Sequence, residues 1–171
     1  MADSQSADHC FPPLSNSYSR LLILGSYPGV TSLEMCQYYA FPQNVFWRIM
    51  SDLICFEYDS GYEERTTALK EAGIALWDVL YSCRRTGSLD SKIQSPSIVT
   101  NNFAEFFLRH PMINTIIFNG AKAEQEFLKR VLPELSIGSM SLVRLPSTSP
   151  AMASMSYVKK REAWKVVKDF L

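Results

Sequence analysis

Leu21-Leu22-Ile23-Leu24, followed by Gly25-Ser26-Tyr27-Pro28-Gly29, decides the fold of this chain. Four consecutive apolar residues closed by glycine read as a strand buried on both faces, as in a parallel sheet. Gly25 and Gly29 permit a sharp turn, and Pro28 fixes its own φ. Pro28 also biases Tyr27 towards extended geometry. Thr31 or Ser32 can then cap a helix beginning near Leu33. Strand, tight turn and helix together place backbone N–H groups at a crevice beyond the carboxyl end of the strand. An ordinary βα turn carries the same pattern, so the turn alone names no ligand.

Working outward, Ile74-Ala75-Leu76-Trp77, Thr115-Ile116-Ile117-Phe118 and Leu142-Val143-Arg144-Leu145 read as three further strands. Between them lie helical patterns. Phe46, Ile49, Met50, Leu53 and Ile54 share one face of a helix expected from Asn44 to Phe56. A polar helix over 62–72 is stopped by Gly73, which suits a C′ position. Asn101 or Asn102 can cap a short helix carrying Phe103, Phe106 and Phe107, and a helix is expected from Ala121 to Val131. A closing helix from Ser156 puts Tyr157, Trp164, Val167 and Leu171 on one face. Residues 81–100 read as a long polar loop carrying Arg84, Arg85, Gly87, Ser88 and Lys92. Alternating strands and helices predict an α/β fold, a parallel sheet covered on both sides.

The 171 residues are expected to form one domain, 1–171, with 1–20 as a polar, proline-interrupted lead-in on the surface. With 47% hydrophobic and 20% charged residues, the chain is globular rather than disordered. No apolar run approaches the roughly 20 residues a bilayer needs, and no basic-then-apolar leader is visible. An intracellular, soluble protein is therefore expected, cytoplasmic in a prokaryote. Cys10, Cys36, Cys55 and Cys83 include no Cys-x-x-Cys pair, so partly buried, reduced thiols are expected and no metal. Seventeen basic and seventeen acidic residues cancel, which argues against a large non-specific nucleic-acid binder but not against local phosphate contacts.

In a sheet of this kind functional groups gather where the strands end. Those ends are Gly25-Ser26-Tyr27, Trp77-Asp78, Asn119-Gly120 and Pro146-Ser147-Thr148-Ser149-Pro150. None supplies a histidine or a metal-ligand set, and His9 and His110 stand apart as bystanders. A Walker-type loop and a G-x-G-x-x-G are both absent, so no cofactor is expected.

Four ordered segments resemble the uracil-DNA glycosylase superfamily, and most nearly its deoxyinosine (hypoxanthine-DNA) glycosylase branch. They are GSYPGVTSLEMCQYYAFPQNVFW (25–47), GIALWDVLYSCRRTGSLDSKI (73–93), FNGAKA (118–123) and LPSTSPAMASMS (145–156). The resemblance implies a three-layer α/β/α sandwich around a four-stranded parallel sheet. It also implies a monofunctional glycosylase of base excision repair, a monomer acting on DNA that contains a deaminated base. Uracil or a mismatched pyrimidine is the alternative substrate, and a non-catalytic nucleic-acid binder on the same scaffold is the alternative class.

Relatives that remove uracil hold a water-positioning Asp or Asn in the first segment, where this chain has Ser26 and Tyr27. In the deoxyinosine branch an asparagine after the Tyr-Tyr segment takes over, which maps to Asn44. The branch carries histidine before the proline of that segment, where this chain has Phe41. Asn44 can equally cap the second helix. Backbone N–H groups at Gly25, Ser26 and Tyr27 are candidate donors to the departing base. Either Tyr38 or Tyr39 can stack on a flipped base, with Tyr39 favoured. Asp78 can accept from a ring N–H or cap its own turn, and Asn119 can line the pocket or make the turn with Gly120. Ser147, Thr148 and Ser149 resemble the phosphate-binding second motif, with Met152 as a wedge into the vacated stack. Lys159, Lys160 and Arg161 read as a solvated face with phosphate contact as an addition.

Overall fold

The computed structural model describes residues 9–136 and 138–171. In chain order the strands are β1 (Leu21–Gly25), β2 (Ile74–Asp78), β3 (Leu80–Ser82), β4 (Val99–Thr100), β5 (Thr115–Asn119) and β6 (Ser141–Leu145). The helices are α1 (Val30–Met35), α2 (Phe46–Ile54), α3 (Tyr62–Glu71), α4 (Phe103–Arg109), α5 (Ala121–Glu126) and α6 (Tyr157–Trp164). A four-stranded, all-parallel sheet runs β2-β1-β5-β6. Every residue of β1, β2 and β5 is buried, as the unbroken apolar runs require of strands covered on both faces.

Ring contacts define the two covering layers. On one face Phe46 of α2 meets Trp164 of α6, and Trp47 of α2 meets Tyr62 of α3. On the other, Trp77 of β2 packs on Phe103 and Phe106 of α4, while Phe118 of β5 meets Phe127 just beyond α5. The result is a three-layer α/β/α sandwich. The chain leaves β1 for β2 on one side and later returns to place β5 on the other. That reversal opens a crevice beyond the carboxyl ends of β1 and β5.

Several boundaries differ from the expected ones. α1 starts at Val30, directly after the turn, and neither Thr31 nor Ser32 caps it. Instead Ser88, from a distant loop, accepts from the Val30 N–H, and the buried Ser32 hydroxyl accepts from Ala40. α2 is shorter than expected because Cys55 takes a left-handed conformation at its end, as Cys36 does after α1. Asn102, not Asn101, caps α4, accepting from Glu105. The segment after α5 widens into a π-helical turn, Phe127–Val131. Residues 81–100 are not one loop: β3 and β4 pair antiparallel, and Arg85 bridges Ile93.

The lead-in also holds more structure than expected. Residues 1–8 lie outside the described residues, but Leu14 exchanges two backbone hydrogen bonds with Leu76 and covers the β2 edge. Of the cysteines, Cys36 and Cys55 are exposed, against the expectation of partial burial, and Cys10 and Cys83 are half-buried. Burial pushes the Cys10 thiol up to about 12.

Candidate active site

The crevice at the strand ends is a cavity of about 720 Å³. Its floor follows from register. Gly25 and Asp78 are paired residues of β1 and β2, so they end the two strands side by side. A Cβ on Gly25 would stand 2.3 Å from Asp78 Oδ1 and 3.0 Å from the Tyr39 hydroxyl. Glycine is therefore the residue that lets a carboxylate and a phenol close over the strand end. The Asp78 backbone is fixed by Asn101, whose Nδ2 donates to its carbonyl at 2.8 Å. Its side chain is 3% exposed, and Oδ2 has no hydrogen-bond partner among the described residues. Burial, helped by the charge of Asp90 and opposed by Arg85, raises the Asp78 carboxyl to about 7.

The two tyrosines differ in burial, although both reach the cavity lining. Tyr38 is buried, with its hydroxyl donating to the Phe11 and Pro12 carbonyls. Tyr39 lines the cavity and stacks on Phe46 with ring centres 4.1 Å apart. It holds φ at +53°, a strained setting for a non-glycine residue, and its buried hydroxyl faces the Asn119 side chain. Burial raises the Tyr39 phenol. The floor thus holds a buried carboxyl oxygen, Asp78 Oδ2, without a partner among the described residues, and an orphaned group of this kind costs about 1–3 kcal/mol.

Asn119 and Thr148 form a second fixed point. Asn119 Nδ2 donates to Thr148 Oγ1 and Asn119 Oδ1 accepts from the Thr148 N–H, both at 2.9 Å. Thr148 is fully buried, and its carbonyl accepts from Val45 beside Asn44. Expected at a phosphate, Thr148 instead ties β5, the 146–152 loop and the start of α2 together. Ser147 and Ser149 remain on the cavity wall with Met152. Gly120, at φ +97°, admits Ser147 because a Cβ there would lie 3.0 Å from the serine Cβ.

Asn44 lines the cavity, and its Oδ1 accepts from the Phe46 N–H at 3.0 Å. This is an Asx turn just ahead of α2, whose N-cap is Val45 with no side-chain cap, and the same oxygen keeps a second lone pair. Ser26 and Tyr27 also line the cavity, the latter 9% exposed beneath Arg85 at 5.0 Å.

Three residues of the opposite wall carry no role in the sequence reading: Ser88, Leu89 and Asp90. Asp90 accepts from the Ser26 hydroxyl at 2.8 Å and faces Arg85 at 3.9 Å. Arg85 is buried, donating to the Pro28 carbonyl, so it braces the first turn from behind rather than meeting phosphate at the surface. Burial raises the Asp90 carboxyl, with Ser26, Arg85 and Lys122 opposing. The only sequence signal for this wall was its place inside the segment 73–93. Of the closing basic cluster, Lys160 is 4% exposed and donates to the Ser149 carbonyl, so it leaves the expected solvated face, whereas Lys159 is exposed and the half-exposed Arg161 pairs with Asp52.

A family model described as the uracil DNA glycosylase superfamily matches residues 12–170. This chain belongs to that superfamily. Two curated relatives are each named hypoxanthine DNA glycosylase. One, from Methanosarcina barkeri, is 39% identical over 66% of this chain and 71% of its own. The other, from Methanosarcina acetivorans, is 39% identical over 92% of this chain and 95% of its own. A solution NMR structure of a candidate uracil DNA glycosylase from Methanosarcina acetivorans superposes with a TM-score of 0.78 at 32% identity. It matches 95% of this chain and 98% of that one. Among the described residues no helix is long and apolar enough to cross a membrane, and no cluster of His, Cys, Asp and Glu is arranged for a metal ion.

Proposed function

We propose that this chain is a monofunctional DNA glycosylase of base excision repair that hydrolyses the N-glycosidic bond of a deaminated base, hypoxanthine foremost, flipped out of DNA. The observation that carries the substrate is Asp78, a buried carboxyl on the floor of the cavity whose Oδ2 has no partner among the described residues. It accepts from hypoxanthine N1–H, and when neutral it also donates to the 6-keto oxygen. Its raised value keeps both forms accessible near neutrality. The half-buried Tyr39 ring borders the base, and Asn119 holds the wall beside it. The relatives named hypoxanthine DNA glycosylase support the same substrate.

Breaking the bond develops positive charge on the sugar and negative charge on the base. Rate then comes from preorganised donors and positioning rather than from a strong base. The turn at Gly25, Ser26 and Tyr27 faces the departing base, and Asn44 orients the water through its remaining lone pair. Ser147 and Ser149 contact the flanking phosphates, and Met152 fills the vacated stack. Thr148 acts from inside, by holding that loop against Asn44.

The test is single-turnover incubation with labelled duplexes carrying deoxyinosine, uracil or a G·T mismatch, followed by alkaline scission of abasic sites. Scission at deoxyinosine is expected, and Asn44→Ala should slow it by about 10²–10⁴-fold with duplex binding retained. Scission at uracil alone would move the substrate but keep the mechanism. Binding without scission at any of the three would make the chain a non-catalytic binder.

A further inference from the structure

The first turn of this chain is short of a functional group. Ser26 and Tyr27 stand where uracil-removing relatives carry an acid or amide, and neither holds a proton acceptor of comparable strength. Folding supplies one from 64 residues away. Asp90 Oδ1 sits 2.8 Å from Ser26 Oγ, on the wall of the cavity. Arg85, itself 4% exposed, faces the same oxygen at 3.9 Å and anchors to the Pro28 carbonyl, so turn and carboxylate are fixed as one unit. Among the described residues, only Asp78 and Asp90 bring carboxylates to the cavity lining. Asp78 is sealed into the floor, whereas the Asp90 side chain is 43% exposed and meets the solvent from which a nucleophile arrives.

We propose that Asp90 is a catalytic residue that takes over the missing acid of the first turn, accepting the proton of the water that attacks C1′. The inference rests on the glycosylase reading above and deepens it. In the step, the C1′–N9 bond breaks and its electron pair leaves with the base. The water oxygen gives a lone pair to C1′, and the proton it loses passes to the Asp90 carboxylate. The base anion takes a proton from solvent, and Asp90 returns its own to solvent afterwards. Burial already raises the carboxyl above its ordinary range, which strengthens it as an acceptor. Asn44 and Asp90 then divide the work: the amide orients the water and the carboxylate takes its proton.

The experiment uses the intact protein and a deoxyinosine duplex under single turnover. Asp90→Asn should lower the rate of base release by about 10²–10³-fold. Its binding to an uncleavable 2′-fluoro-deoxyinosine duplex should stay within about threefold of wild type. Asp90→Ala should be equally slow and should be accelerated by added formate, a small carboxylate that can enter the vacated place. An Asp90→Asn rate within about threefold of wild type overturns the inference. So does a loss of binding equal to the loss of rate without formate rescue, which would mark Asp90 as a wall support. Wild-type protein that binds but releases no base from deoxyinosine or uracil overturns the glycosylase reading itself, before any variant is compared.

Discussion

The floor of the cavity and its 84–93 wall each present a carboxylate to the same space, and they are built by opposite means. Asp78 ends a strand, paired in register with Gly25, and is fully enclosed. Asp90 sits on a short 3₁₀ turn, Asp90–Lys92, in a segment tied down by the Arg85–Ile93 bridge and the Ser26, Ser88 and Arg85 contacts. The floor is rigid because the sheet is rigid. The wall is positioned by a handful of polar contacts, the Ser88–Val30 one exposed and the Ser26–Asp90 and Arg85–Pro28 ones partly buried. Two carboxylates in contrasting environments separate into different chemical roles, the enclosed one reading a ligand and the wetted one handling protons.

That contrast predicts where substitution hurts most. Gly25→Ala strikes the floor directly, since the new Cβ would meet Asp78 Oδ1 at 2.3 Å. The carboxylate would have to leave its place, and so would the Tyr39 hydroxyl. Base release should fall by at least about 10²-fold, in line with the cost of misplacing a binding group by about 1 Å. Thermal or urea unfolding should show a loss of about 1–3 kcal/mol from overpacking. Near-normal base release by Gly25→Ala would mean the floor is soft, and the comparison with the wall would collapse.

Asp78→Asn sharpens the comparison by putting a neutral amide of the same shape in place of the titrating carboxyl. The folded protein holds the Asp78 proton more tightly than the unfolded chain, about 7 against 3.8. Its contribution is therefore fully present below about pH 4 and is lost as pH rises towards 7. The buried anion then opposes folding by an amount of order 4 kcal/mol. An amide in its place does not titrate, so the stability of Asp78→Asn relative to wild type should rise between pH 4 and pH 8. A pH-independent difference would show that Asp78 is solvated. The same variant should change the ratio of hypoxanthine to uracil release by about tenfold, the worth of one hydrogen bond to a charged group, and an unchanged ratio would remove Asp78 from base recognition.

The floor was also the more legible half. The apolar run 21–24, its closing glycine and the polar residue after each strand are local features, and local features carry a parallel sheet and its switch point. Asn102 and Ser156 cap their helices as their types suggest. The wall was not legible because its contacts are remote: Ser26 with Asp90 and Val30 with Ser88 are separated by 64 and 58 residues. Nothing in the polar stretch 81–100 announces that it folds back on the first turn. Thr148 misled for a related reason. Its neighbours in a Ser/Thr-rich turn look solvent-facing, but Asn119, at the end of a different strand, turns it inward. Lys160 did likewise, reading as part of a charged face while reaching into the protein to hold Ser149.

The smallest expected effect belongs to the wall's outermost contact. Ser88 is exposed, and its hydroxyl accepts from the Val30 N–H at the start of α1 at 2.9 Å. Ser88→Ala removes that acceptor, but water can reach the same N–H, so folding should change by no more than about 0.5–1 kcal/mol. Asp90 would keep Ser26 and Arg85, and the rate of base release should therefore change only about two- to threefold. If instead Ser88→Ala slowed base release as much as Asp90→Asn, the wall would be acting as a single cooperative clamp whose closure over α1 limits the reaction. The carboxylate would then matter for holding the clamp shut, and the difference between floor and wall would be one of motion rather than of chemistry.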